Sequence, residues 1–183
     1  MNYYYLMASL PMLTLETELA TSSTQFLSLC QDTLSEQQFE LLQAVTLVPG
    51  VPSCCAIDSK WQAYETSLRN CVSHRVAHKS KADVTAYLRE ERDAYMDLEK
   101  QVEDAFDSPN PLKTEQALDQ LRWVELENLA TGHDFDFEAL FLYRVKLLIM
   151  EKSSSLTKAL GQEKVDKTVA QILENSNSAL TTV

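Results

Sequence analysis

The sequence predicts an all-α protein, an irregular helical bundle of about six to eight helices with its long helices in the second half. Two observations carry that expectation. Only 3 Gly and 5 Pro occur in 183 residues, whereas strand-rich and doubly wound folds need many turn positions, Gly above all. From Trp61 onward, apolar residues recur at spacings of three and four, the period of one helical face. An apolar content of 45% is well above that of a disordered chain, and the length allows one full hydrophobic core. One helical domain is expected over residues 1–175, followed by a frayed tail at 176–183.

Each element follows from local signals. Tyr3-Tyr4-Tyr5 has strand propensity, but no similar strand lies nearby to pair with it, so the apolar run up to Pro11 is read as a short buried helix. Ser22 or Ser23 can cap a helix holding Phe26, Leu27 and Cys30. Ser35 is the better cap, because Gln38 stands three residues on for a capping box. Phe39, Leu42 and Val45 or Thr46 continue that helix until Pro49-Gly50-Val51-Pro52 ends it. Asp58 or Ser59 opens a long helix with a stripe of Trp61, Tyr64, Leu68, Cys71 and Val72.

A second long helix is expected from about Ala82 to Phe106, with Val84, Tyr87, Leu88, Tyr95, Leu98, Val102 and Phe106 inward and the charged run Arg89 to Asp93 in solvent. Asp107-Ser108-Pro109-Asn110-Pro111 breaks the chain again. The next helix presents Leu112, Ala117, Leu118, Leu121, Val124, Leu126 and Leu129 and stops at Gly132, its C′ residue. Asp134 or Asp136 caps a helix running through Lys158. Its stretch from Leu140 to Met150 is apolar nearly all round and should be the most buried element. Gly161 precedes a last helix with Val165, Val169 and Ile172.

Composition also excludes function classes. A net charge of −11 is repelled by a phosphate backbone and by an anionic membrane surface; a basic or neutral protein partner suits it. Cys30, Cys54, Cys55 and Cys71 are too few and too irregular for a secreted disulfide scaffold. The start lacks a cationic region ahead of its apolar run and is not read as a signal peptide. No stretch reaches the ~18 uncharged apolar residues of a membrane span, Ala139 to Met150 being interrupted by Arg144 and Lys146. A cytoplasmic location and no direct membrane insertion are expected.

Candidates for chemistry are few. Cys71, His74 and His78 share one helix face at spacings of three and four, which suits zinc, and Cys54 and Cys55 could add ligands from the preceding loop. Against this, Cys71 continues the core stripe, and Arg75 and Lys79 would repel a cation. His133-Asp134-Phe135-Asp136 sets a histidine among carboxylates, as acid–base work would need, but acids there also favour a helix start. Glu103-Asp104 and Glu125 with Glu127 are spaced as on an exposed helix surface. Ser153-Ser154-Ser155 with Lys158 reads as a polar patch. H-E-x-x-H, G-x-S-x-G and Gly-rich phosphate loops do not occur. No catalytic, cofactor or metal site is therefore expected, Cys71, His74 and His78 remaining weak metal candidates. The aromatic run from Tyr3 to Met12 suits either the core, the commoner fate, or partner docking.

Two segments carry a resemblance. Tyr3-Tyr4-Tyr5-Leu6-Met7-Ala8-Ser9-Leu10-Pro11 resembles the N-terminal signature of small proteins encoded within bacterial V-type ATPase operons. Leu118 to Trp123, Phe135 to Leu140 and Tyr143 to Leu147 resemble that family's C-terminal helices, with Glu65 and Leu68-Arg69-Asn70 a weaker match between them. The chain departs from the family in having little between Leu47 and Trp61, and Lys152 with three serines after Glu151. The family is similar, more distantly, to the V-ATPase subunit called C in archaea and d in eukaryotes, an all-helical funnel between the central stalk and the proteolipid ring. The resemblance implies a non-catalytic helical component or accessory factor of a V-type ATPase. Its partners would be other ATPase subunits in the central stalk and proteolipid ring, and it would sit at the inner membrane through that complex. A helical adaptor or assembly factor outside any ATPase is one alternative; a metal-dependent enzyme built on Cys71, His74 and His78 is another.

Overall fold

The computed structural model describes residues 3–50, 52–81, 83–90, 95 and 97–156. Among them are seven α-helices and no strand: α1 (Tyr3–Ser9), α2 (Ser23–Gln31), α3 (Glu36–Gln43), α4 (Ala56–Ser80), α5 (Leu98–Phe106), α6 (Pro111–Ala130) and α7 (Phe137–Ser155). The all-α class holds. The expected Gly161 break, the helix of Val165, Val169 and Ile172, the end at Lys158 and the 176–183 tail lie outside the described residues. No helix among those described is long and apolar enough to cross a membrane.

The apolar ring of α7 dictates the architecture. Every residue from Ala139 to Val145 is buried, as are Leu147, Ile149 and Met150. A helix without a polar face needs neighbours on all sides, and α7 has them in α1, α2, α3, α4 and α6. Phe141, Leu142, Val145 and Ile149 pack with Trp61, Tyr64 and Leu68 of α4, Leu98 and Val102 of α5, and Leu118 and Leu126 of α6. Leu140, Tyr143, Leu147 and Met150 face a second cluster of Leu6, Phe26, Cys30, Leu42 and Trp123. Tyr143 also donates to the Pro11 carbonyl at 2.9 Å, fastening the N-terminal segment to α7; its burial pushes the phenol up to about 12.

Helix boundaries follow capping chemistry, with some shifts from expectation. Ser22 and Gln25 form the reciprocal capping box on α2. At Ser35 only the cap itself forms, since the Gln38 amide turns to the Ser35 hydroxyl and to Tyr3. Helix α4 begins at Ala56, ahead of Asp58 and Ser59, because Cys55 caps it and Asp58 reaches back to the Cys54 N–H at 2.8 Å. Asn110 caps α6 with Pro111 in its first turn. Gly132 (φ 89°) follows the α6 C-cap, as expected of a C′ residue.

Of the long helix expected over 82–106, the described residues 83–90 are not α-helical. Thr85–Tyr87 make a single 3₁₀ turn, Leu88 is extended, and α5 starts at Leu98. The cause is Asn70 on α4. Its carboxamide donates to the Arg89 carbonyl at 2.8 Å and accepts from the Arg89 N–H at 3.0 Å. Both backbone groups that residue 89 would commit to a helix are thus taken by a side chain. The Arg89 guanidinium, expected in solvent, bonds the Pro49 carbonyl. The α1 helix exists but is buried only at Leu6. On α6, Val124 lies outside, while Asp119 and Arg122 are buried with Leu118 and Leu126.

Those two polar residues belong to a buried ionic lattice. The Glu65 carboxylate on α4, 1% exposed, takes two hydrogen bonds from Arg122, at 2.9 and 3.1 Å, and one from Arg69 at 2.7 Å. Arg122 also donates to Asp119 at 3.0 Å, and Lys152 on α7 reaches Asp119 at 2.8 Å and Glu115 at 2.9 Å. The Glu65 and Asp119 carboxylates overcome the effect of burial and hold the Arg122 guanidinium above its ordinary pKa. The alternation of charge compensates the three buried ions, Glu65, Asp119 and Arg122, any one of which would be costly alone.

Two outcomes are expected in urea unfolding. Glu65→Leu leaves Arg122 under-compensated and costs about 3 kcal/mol, while Glu65→Leu with Arg122→Met costs less than the sum of the two single changes. Additive losses would show that the pair does not act as a unit. Asn70→Ala strips the backbone of residue 89 of both partners; a loss of about 2 kcal/mol is expected, with faster amide exchange at Arg89 read by NMR.

Candidate functional site

The half-buried Cys71 and exposed His74 and His78 line a groove between α4 and α5, opposite Glu99 and Glu103 and beside Arg75. Cys71 also packs against the main core cluster. Cys54 and Cys55 cannot serve a site there. They precede α4, sixteen residues or about 24 Å away along its axis at 1.5 Å per residue. Distance along one rigid helix overrules proximity in sequence.

Among the described residues, the one group of three potential ligands lying within 4.8 Å of one another is His133, Asp136 and Glu138. Asp136 is the N-cap of α7. One of its oxygens accepts from the Ala139 N–H at 2.8 Å and the other meets His133 Nδ1 at 2.6 Å. Both carboxylate oxygens are therefore engaged in closing the α6–α7 turn, and the positive pole of α7 opposes a cation. The capping role expected of this segment is the one its geometry shows, with Asp136 rather than Asp134 as the cap. The hydrogen bond with Asp136 is the main cause that raises the His133 pKa, aided by the charges of Asp136 and Glu138.

At the N-terminus of α4, the Cys55 sulfur accepts from the Asp58 N–H at 3.4 Å and from the Cys54 thiol at 4.0 Å. Asp58 also binds Gln62 at 3.0 Å. Cys54 and Cys55 pack against the main core cluster at the start of α4, sixteen residues from Cys71.

The remaining expected groups are structural. Glu103 and Asp104 are exposed. Glu127 pairs with Lys146 at 2.5 Å, and Lys146 lies 5.2 Å over the Trp123 ring. Glu125 is half-buried, and burial raises its pKa. Ser154 and Ser155 bond the carbonyls of Glu151 and Lys152.

The N-terminal aromatic run divides. Leu6 is buried and Tyr3 and Met7 pack on the second cluster, but Tyr4 and Tyr5 are 54% and 71% exposed. The Tyr4 ring lies 4.8 Å from the half-exposed ring of Phe135 and meets Tyr5 edge-on at 5.8 Å. Three exposed aromatics from two distant parts of the sequence thus make one surface, with Asp134 and Asp136 on either side of Phe135. The sequence places Phe135 beside a helix start but gives no sign that its ring meets Tyr4.

A family described as "Protein of unknown function (DUF2764)" matches residues 93–176, just under half of the chain and the part holding α5, α6 and α7. No curated protein and no solved structure matches the chain.

An NMR titration of the His133 ring is expected to give a midpoint above the ordinary 6.5. Because the folded value is raised, the stabilisation it represents is full below the unfolded value and is lost as pH rises through the folded one. Asp136→Asn keeps a capping side chain but removes the charge, and should return the midpoint toward its ordinary value. An unchanged midpoint in that variant would refute the assignment.

Proposed function

We propose that the protein is a non-catalytic helical component or accessory factor of a V-type ATPase, a rigid spacer of the kind the C/d subunits provide between the central stalk and the membrane ring. The observation that carries this reading is the meeting of Tyr4 and Phe135 at 4.8 Å. The two segments whose wording resembles the operon-encoded family, Tyr3–Pro11 and Phe135–Leu140, together present one exposed aromatic surface. Aromatic rings with polar tips anchor protein interfaces.

Two further features support a mechanical role. Helix α4 has 25 residues and spans about 37 Å, and the ionic lattice ties it to α6 and α7. Transmitting force requires such fixed registers and no reactive group. The charge around the aromatic surface suggests the partner's chemistry. The sequence has no Lys or Arg before Lys60, and Phe135 stands between two aspartates, so the surface suits an apolar patch with a basic rim.

Affinity-tagged protein expressed in its native cells and recovered from solubilised membranes should bring V-type ATPase subunits with it. Tyr4→Ser with Tyr5→Ser should cut that recovery at least roughly tenfold while leaving the melting temperature within a few degrees. Wild-type protein that recovers no ATPase component would sink the proposal.

A further inference from the structure

Cys54 and Cys55 are not explained by core packing alone. Cys30 is enclosed in the second cluster, where burial pushes its thiol up to about 12. Cys71 lies further along α4. Cys54 and Cys55 are both half-buried, and the Cys54 thiol points its proton at the Cys55 sulfur across 4.0 Å. Cys55 also receives the Asp58 N–H at the N-terminal pole of a 25-residue helix.

That geometry divides the roles of the two sulfurs. The hydrogen bond from Cys54 is the main influence lowering the Cys55 pKa, and the Asp58 N–H adds to it, against burial and the charges of Glu138 and Asp58. The same hydrogen bond, with burial, holds the proton on Cys54. Because Cys55 receives both the Cys54 thiol proton and the Asp58 N–H, it is the sulfur placed to attack, and Cys54 the one placed to resolve what forms on it.

We propose that Cys54 and Cys55 form a thiol modification site, in which a hydroperoxide oxidises Cys55 and Cys54 closes a reversible disulfide with it. The Cys55 thiolate, its proton released to solvent, attacks the peroxide. An S–O bond forms, the O–O bond breaks, and the departing oxygen takes up a proton as alcohol or water, leaving Cys55 as a sulfenic acid. The Cys54 sulfur then attacks the Cys55 sulfur. An S–S bond forms, the S–O bond breaks, and the leaving hydroxide takes the Cys54 proton as water. Two thiols and one hydroperoxide become one disulfide, one alcohol or water, and one further water. The two electrons lost by sulfur reduce the peroxide.

Reversibility follows from the ring. Neighbouring Cα atoms are about 3.8 Å apart, closer than a relaxed disulfide spans, and a strained disulfide is readily reduced. Closing it also pulls on the first turn of α4, because the Cys55 sulfur holds the Asp58 N–H and the Asp58 carboxylate holds the Cys54 N–H.

The test exposes the full chain to stoichiometric hydrogen peroxide, then alkylates free thiols and maps peptides by mass spectrometry. The expected product lacks two hydrogens in a peptide holding Cys54 and Cys55, regains them with dithiothreitol, and leaves Cys30 and Cys71 alkylated. Cys54→Ser should accumulate a dimedone-trappable sulfenic acid at Cys55. Cys55→Ser, in which serine preserves the cap, should slow oxidation at this site roughly tenfold with unchanged circular dichroism. First reaction at Cys71, disulfide-linked dimers, or stepwise oxygen addition at Cys55 without disulfide closure in the wild-type protein would each overturn the proposal.

Discussion

A carboxylate placed in the apolar stripe of a long helix sets the terms for the rest of the molecule. Glu65 follows Trp61 by four residues and precedes Leu68 by three, so it turns inward with them and is 1% exposed. An isolated ion there would cost several kcal/mol, and the fold answers with Arg122 from α6 and Arg69 from the next turn of α4. Arg122 in turn requires Asp119, and Asp119 is shared with Lys152 of α7. Hydrophobic contacts tolerate small slips of one helix on another, but a forked guanidinium–carboxylate pair does not. The lattice therefore fixes the register of α4, α6 and α7, while the two apolar clusters on either side of α7 supply most of the cohesion.

Much of this architecture was legible because it rests on local or periodic signals. The depth of α7 follows from an apolar run too long for one face, and its start from an acid three residues before Ala139. The end of α6 follows from Gly132. The expected helix at 82–106 failed for the opposite reason. Its apolar spacing is sound, yet Asn70 binds both backbone groups of Arg89, and a side chain nineteen residues away leaves no trace in a local period. Glu65 and Arg122 stand in phase with the apolar stripes, a signal for buried pairing that a count of apolar residues alone passes over.

The candidate sites divide along the same line. Asp136 could be read because capping is local. Grouping Cys54 and Cys55 with Cys71 could not succeed, since one uninterrupted helix separates them, and the helix start at Ala56 depends on Cys55 itself acting as the cap. The aromatic surface was half-visible. The run from Tyr3 to Met12 was conspicuous, but which of its rings reach solvent depends on how α1 leans on α7, and Phe135 joins them only in three dimensions.

The position of the reactive and exposed groups relative to the lattice bears on what the molecule can do. The vicinal thiols, the His133–Asp136 turn and the Tyr4–Phe135 pair all stand at helix termini, while the middles of α4, α6 and α7 are committed to apolar packing and to the ion pairs. The exposed aromatic rings thus sit on one surface at the edge of a body whose centre is fixed by close packing and by paired charges.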